Sequence, residues 1–256
     1  MRRQIVGAFF AAVAAGGAAL LTVGLAGPAP ASAATAGTHA AAYPVIYTSS
    51  QAGYVTGGRW FRFVATTVKV PGAAQYNNYA EVVLGGSSTH IPPVTLAVAP
   101  GGGPDSVAWS VGVPPYGMGG GALTKVDPKA GDTVLIDLYY SQADGGVVAT
   151  ATDITANRTQ DITIGTGAHA VFTAAEVADV LKNPSSPPAG NIRLWDFTNS
   201  AVTTYTGVHG SMTGPWATSE IIDTTNGGSS GQVVMSPSFL WNNGQNFGAW
   251  LRSYLR

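Results

Sequence analysis

The chain has 256 residues, a formal net charge of −1, and 10% charged against 45% hydrophobic residues. That balance excludes a disordered chain and lacks the basic footprint of a nucleic-acid or membrane-surface binder. Cysteine is absent, which excludes a thiol nucleophile, a Cys-ligated metal and any disulfide.

Met1-Arg2-Arg3 is a short basic start. An apolar run from Ile5 to Leu25 follows, then Pro28-Ala29-Pro30 and the small-x-small site Ala31-Ser32-Ala33. This is the pattern of a secretory signal peptide over 1–33, and it predicts a secreted, extracellular protein with no membrane attachment after cleavage. An uncleaved anchor is the alternative, since the run approaches the length of a span. Residues 34–50 read as a flexible leader of small residues. Loss of Arg2 and Arg3 takes the charge from −1 to −3. The remaining roughly 210 to 220 residues suit one large β domain, placed at 51–256.

Most of the 34 Gly and 16 Pro fall between short β-rich runs, the signature of many strands joined by turns. Strands are predicted at 59–70, 79–84, 94–99, 107–113, 133–140, 147–152, 161–164, 202–209, 218–222, 232–235 and 247–251. Asp144-Gly145-Gly146 predicts a hairpin turn. One helix is predicted over 173–182. Thr173 and Glu176 form a capping box there, Val177, Val180 and Leu181 share a helical face, and Asn183-Pro184 ends it. Many strands with one short helix argue for an all-β sandwich of two antiparallel sheets.

Three segments carry a family likeness. Ala52-Gly53-Tyr54-Val55 runs through Gly57-Gly58-Arg59-Trp60-Phe61 to Thr67-Val68-Lys69-Val70-Pro71. A middle block runs from Ala108-Trp109 through Val126-Asp127-Pro128 and Gly131-Asp132-Thr133 to Asn157-Arg158-Thr159. The last holds Thr218-Ser219-Glu220-Ile221-Ile222 and Asn246-Phe247-Gly248. Together they resemble the bacterial branch of the glutamic peptidases (eqolisins), in secreted forms of the actinobacterial type. The resemblance implies a concanavalin-A-like jelly roll and a catalytic Glu paired with a Gln.

Glu220 is the Glu that the resemblance selects, because its segment is similar to the family strand in which an acidic residue follows three positions on. A carboxylate on a concave sheet face acts as a general base on water. The alternative is a surface Glu on an alternating strand. The family Gln has no counterpart. Aligning Val82-Val83-Leu84-Gly85-Gly86 with the family strand places Ile91-Pro92-Pro93-Val94 over the Gln segment, and Pro has no amide to offer. Gln75 and Gln51 fall outside the matching stretch. The same alignment puts Glu81 at the position of a cleft Trp. Glu81 and Glu220 are therefore a candidate acid–base pair, of the kind that hydrolyses glycosides. Glu176 is assigned to its helix cap.

The four His (His39, His90, His169 and His209) have no metal-ligand spacing, and no Gly-x-Ser-x-Gly elbow accompanies them. Asp105, Asp127, Asp132, Asp144, Asp153 and Asp223 read mostly as turn residues. The Gly-rich stretches 101–104 and 117–121 do not open a helix with Lys-Ser or Lys-Thr, so phosphate cradling is not indicated. No metal and no cofactor is expected. Trp216 and Trp241 lie in Gly/Asn/Pro/Ser-rich segments and, with Tyr205 and His209, are candidates to line a ligand groove, core or rim packing being the alternative. Asn157-Arg158-Thr159 matches a glycosylation pattern but reads as a turn.

Three functions remain open at this point. The first is a non-catalytic, secreted monomer that holds a peptide or glycan in its concave cleft. The second is an acid-active glutamic-type endopeptidase using Glu220. The third is a carbohydrate-active hydrolase using Glu81 and Glu220.

Overall fold

The computed structural model describes residues 43–72, 78–85, 92–112, 119–166, 169–181 and 192–251. The signal segment, most of the leader, His39, Gln75 and His90 lie outside them. The described residues are all-β, with no helix. The strands are β1 (Val45–Thr48), β2 (Gln51–Gly57), β3 (Phe61–Lys69), β4 (Asn78–Gly85), β5 (Val94–Val98), β6 (Val107–Val111), β7 (Gly119–Ala122) and β8 (Thr133–Ser141). They continue as β9 (Gly146–Asp153), β10 (Arg158–Gly165), β11 (Ala174–Leu181), β12 (Ile192–Thr204), β13 (His209–Ser211), β14 (Ala217–Thr224), β15 (Val233–Pro237) and β16 (Phe247–Leu251).

Hydrogen bonding links them in the order β10-β9-β8-β3-β12-β16-β15-β14-β2-β11-β4-β5-β6-β7, with β1 on β14 and β13 on β12. Only the β1–β14 pair is parallel among the described strands. The path doubles back, so that β3 packs on β4 and β11, and β8 packs on β4 and β5. Val64, Val68, Ile136 and Leu138 from one half meet Val82, Leu96 and Val177 from the other, all essentially unexposed. β-branched side chains predominate among them because a stiff χ1 suits a pleated, buried surface. The arrangement is consistent with a β-sandwich. The pairing does not divide into two separate sheets, because the stretch β12-β16-β15-β14-β2 joins the halves without a break.

The helix predicted over 173–182 is instead strand β11. It pairs with β2 along one edge and β4 along the other. Ala-rich sequence favours a helix by propensity, but a helix would bury only one face. Here Ala175, Val177, Ala178 and Asp179 are all at 0% exposure, as a central strand requires. The small side chains also let the neighbouring strand in. A Cβ on Gly53 would lie 2.2 Å from the carbonyl oxygen of Val177 and 2.6 Å from the Cα of Ala178. Gly53→Ala is therefore expected to cost about 3 kcal/mol by overpacking. In thermal unfolding this reads as a Tm lower by about 6–12 °C for a domain of this size.

Other differences are local. β12 starts well before the predicted 202 and is broken in register between Thr198 and Ala201, where Asn199 takes a positive φ of 55°. This irregularity, a bulge within polar residues, hides the first half of the strand from a periodicity argument. The Asn157 turn is present, with φ 53°, and Asp153 caps it by accepting the Ala156 N–H at 2.9 Å. Asp223 is not a turn residue. It lies in β14 at 0% exposure.

Candidate active site

Three ladders in register set out the sheet face around β11. Glu81 on β4 stands opposite Ala178 on β11, Ala178 opposite Gly53 on β2, and Gly53 opposite Ile221 on β14. Side chains alternate along a strand, so Gln51, Glu81 and Glu176 all project from this same face. The face is the one turned away from the Val82, Val177 and Leu96 core. Its floor is small, with Gly53, Ala97 and Ala178 around the cluster.

Gln51 ties the cluster together. Its Nε2 donates to Glu81 Oε1 at 3.0 Å and to Glu176 Oε1 at 3.1 Å. The amide nitrogen carries two hydrogens, one for each carboxylate. The two accepting oxygens are therefore no more than about 6 Å apart. Glu81 is buried at 5% exposure and Glu176 is half-buried. Burial pushes Glu176 up to about 7. Burial, and then the neighbouring Glu176 charge, raise Glu81 well above the usual carboxylate range, with the Gln51 hydrogen bond opposing them. Tyr79, two residues from Glu81 on the same face, is pushed up to about 12 by burial and by Glu81.

Among the described residues, the strands of this half supply no cation to relieve this charge. β1, β2, β4, β5, β6, β7, β11, β14, β15 and β16 contain no Lys, Arg or His. The same strands carry Glu81, Glu176, Asp179, Glu220 and Asp223. Burial lifts Asp179 to about 8, against a hydrogen bond from Asn78 Nδ2 at 3.1 Å. It lifts Asp223 to about 7.

Glu220 is elsewhere. It pairs with Tyr54 across β2, one residue out of the Glu81 row, and so lies on the opposite, inward face. It is 3% exposed, and its charge helps to raise the Tyr54 phenol, after burial. Glu81 and Glu220 therefore do not face each other, and the glycosidase pair built on them is not formed. The groove candidates also stand apart from the cluster. Trp216 precedes Ala217, which pairs with Gly57, six residues along β2 from Gln51 and roughly 20 Å away at the rise of a strand. It packs edge-on against Phe61 at 5.7 Å and donates from Nε1 to the Met212 carbonyl at 3.1 Å. Tyr205 packs on Tyr140, with centroids 5.6 Å apart, and donates to the Ala170 carbonyl. His209 is exposed, with Nδ1 2.9 Å from Thr203 Oγ1. Trp241 is exposed in a short bridge with Asn246.

The strand arrangement matches solved structures. Scytalido-glutamic peptidase with a transition-state analogue inhibitor gives a TM-score of 0.56 at 16% identity, covering 82% of this chain and all of that one. The fold is glutamic-peptidase-like. A second structure of that peptidase, with a peptide-based transition-state analogue, gives 0.52 at 17% identity over the same shares. SCP-B, a member of the eqolisin family in complex with the tripeptide Ala-Ile-His, gives 0.50 at 16%, again over 82% and 100%. No protein-family model matches the chain, and no curated protein matches it significantly in sequence.

On this glutamic-peptidase-like fold, two members of the cluster are hidden from the sequence pattern. Glu176 has the spacing of a helix cap, yet Asp179 follows it at the same three-residue spacing by which Asp223 follows Glu220. Gln51 lies outside the stretch that matches the family Gln segment.

Proposed function

We propose that the protein is a secreted glutamic-type peptide hydrolase that works through Glu176 and Gln51. The observation that carries this reading is the Gln51 amide 3.1 Å from the half-buried Glu176 carboxylate, on the sheet face turned away from the core. A carboxylate can take a proton from water, and a fixed amide can polarise the carbonyl that the water attacks. The bound peptides named for the solved structures of the same fold favour a peptide over a sugar. So does the face itself: its aromatic among the described residues near the cluster is Tyr79 alone, too little for a sugar-stacking row.

The raised carboxyls set the expected pH behaviour. Cleavage is absent at strongly acid pH, where both glutamates are protonated. It rises into the mildly acid to neutral range and falls again at alkaline pH. The test is digestion of casein and of a fluorogenic peptide mixture from pH 3 to 9, beside Gln51→Ala. A bell-shaped profile, with a loss of about 10²–10³-fold in the variant, is expected. Peptide binding without cleavage at any pH would overturn the catalytic reading and leave a peptide-holding cleft.

A further inference from the structure

Gln51 donates one hydrogen to each of two glutamates, and only one of those glutamates is required by the reading above. We infer that Glu81 is a catalytic acid: it shares a single proton with Glu176 across the Gln51 amide and delivers it to the leaving group. This rests on the peptide-hydrolase reading for the identity of the leaving group, but the proton sharing stands on geometry alone. Two carboxyls held by one nitrogen, on strands without a basic residue, cannot both ionise cheaply.

The charged groups near Glu81 act in the same direction, against the Gln51 hydrogen bond. β2 presents Gln51, which is neutral. β11 presents Glu176, and Asp179 projects from the next position on the other side of the strand. β4 itself adds Tyr79, whose phenol is neutral over the working range. β5 offers Ala97 opposite Glu81 and Thr95 two residues on, with no charge. On β14, Asp223 adds negative charge near Asp179. Of the two glutamates, Glu81 is the less exposed and receives the charge of the other. Glu81 therefore keeps the proton while Glu176 ionises.

The step then balances. Glu176 removes a proton from water as the water oxygen bonds to the carbonyl carbon. Glu81 gives its proton to the amide nitrogen as the C–N bond breaks, leaving an amine and a carboxylic acid. Glu176 ends protonated and Glu81 ionised, and a proton passing back between them restores the pair. A protonated Glu81 also accepts the Gln51 N–H more weakly, which frees that hydrogen for the carbonyl oxygen of a bound peptide.

The chain contains three glutamates, so 13C labelling of the glutamate carboxyls gives three signals to titrate. In the wild type two of them are expected to show coupled steps. In Glu176→Gln, the Glu81 step should move down by more than about one pH unit. An unmoved Glu81 step overturns the proton sharing, whether or not the protein cleaves peptides. Kinetics supply the second arm. Glu81→Gln is expected to lower kcat by about 10²-fold with KM little changed, and to remove the alkaline limb while leaving the acid limb in place. Glu81→Asp should restore part of the rate. A wild-type bell retained in Glu81→Gln would overturn its role as the acid. A wild type inert on peptides yet showing coupled titration would instead sink the hydrolase reading and leave the shared proton.

Discussion

Glu176→Gln is expected to abolish peptide cleavage, with kcat falling by about 10³–10⁴-fold. The substitution is nearly isosteric, and the new side-chain oxygen can still accept the Gln51 N–H now found at 3.1 Å. The Gln51 tie therefore survives, and only the ability to take a proton from water is lost. Stability should move the other way. Wild-type Glu176, raised to about 7 by burial, must ionise in a poorly solvated site as the pH climbs, whereas the amide never does. The variant should melt at a higher temperature than wild type at pH 7–8, and at about the same temperature near pH 4. An inactive protein that is more stable at neutral pH cannot be explained by misfolding. Glu220→Gln is the counterpart: its carboxyl faces the other side of the sheet, so the cleavage rate and the pH profile should not change. Loss of activity in Glu220→Gln, with Glu176→Gln still active, would return the chemistry to the inward face.

The sequence made much of the architecture legible because each strand advertises itself locally. Buried Val134 and Ile136 alternate with half-buried Thr133 and Leu135, and buried Leu138 and Tyr140 flank exposed Tyr139. Gly145 marks the turn with a positive φ of 66°. β11 resembles a helix in sequence for an equally local reason. Thr173 and Glu176 have the spacing of a cap, and Ala174, Ala175 and Ala178 favour a helix in isolation. What overrides them is the pair of neighbours β2 and β4, which no window of sequence around β11 contains. The site was illegible for the same reason. Gln51 lies 30 residues from Glu81 and 125 from Glu176, and only the register of two ladders brings them within hydrogen-bond reach. The spacing of Glu176 and Asp179 was visible, as was the lack of Lys, Arg and His from ten strands that carry five acids. Both pointed to a carboxyl site without saying which carboxyls meet.

Thermal stability should be greatest near pH 4 and fall steadily towards pH 8. Asp137, Asp179, Asp223 and Glu176 all titrate higher in the folded chain than in the unfolded one, at about 8, 8, 7 and 7 respectively, mainly through burial. Below their ordinary values of 3.8 and 4.5, both states are protonated and nothing is lost. Between those values and 7–8 the unfolded chain releases protons that the folded chain retains, so each unit of pH favours unfolding. A single carboxyl raised by two units costs about 3 kcal/mol, about 6–12 °C in Tm for a domain of this size. A melting temperature lower by more than about 10 °C at pH 8 than at pH 4 is therefore expected by calorimetry. A flat profile, or one rising with pH, would mean that these carboxyls are ionised in the fold and solvated or paired there. With the expected slope, the sheet that holds Glu81 and Glu176 gains proton affinity from the same burial without cations on its described strands that weakens the fold on the alkaline side. Catalysis needs one of the two ionised, so the working pH falls on the shoulder where stability has begun to decline. Asp137→Asn, on β8 in the other half of the fold, separates the two effects: it should flatten part of the stability slope and leave the cleavage profile where it was.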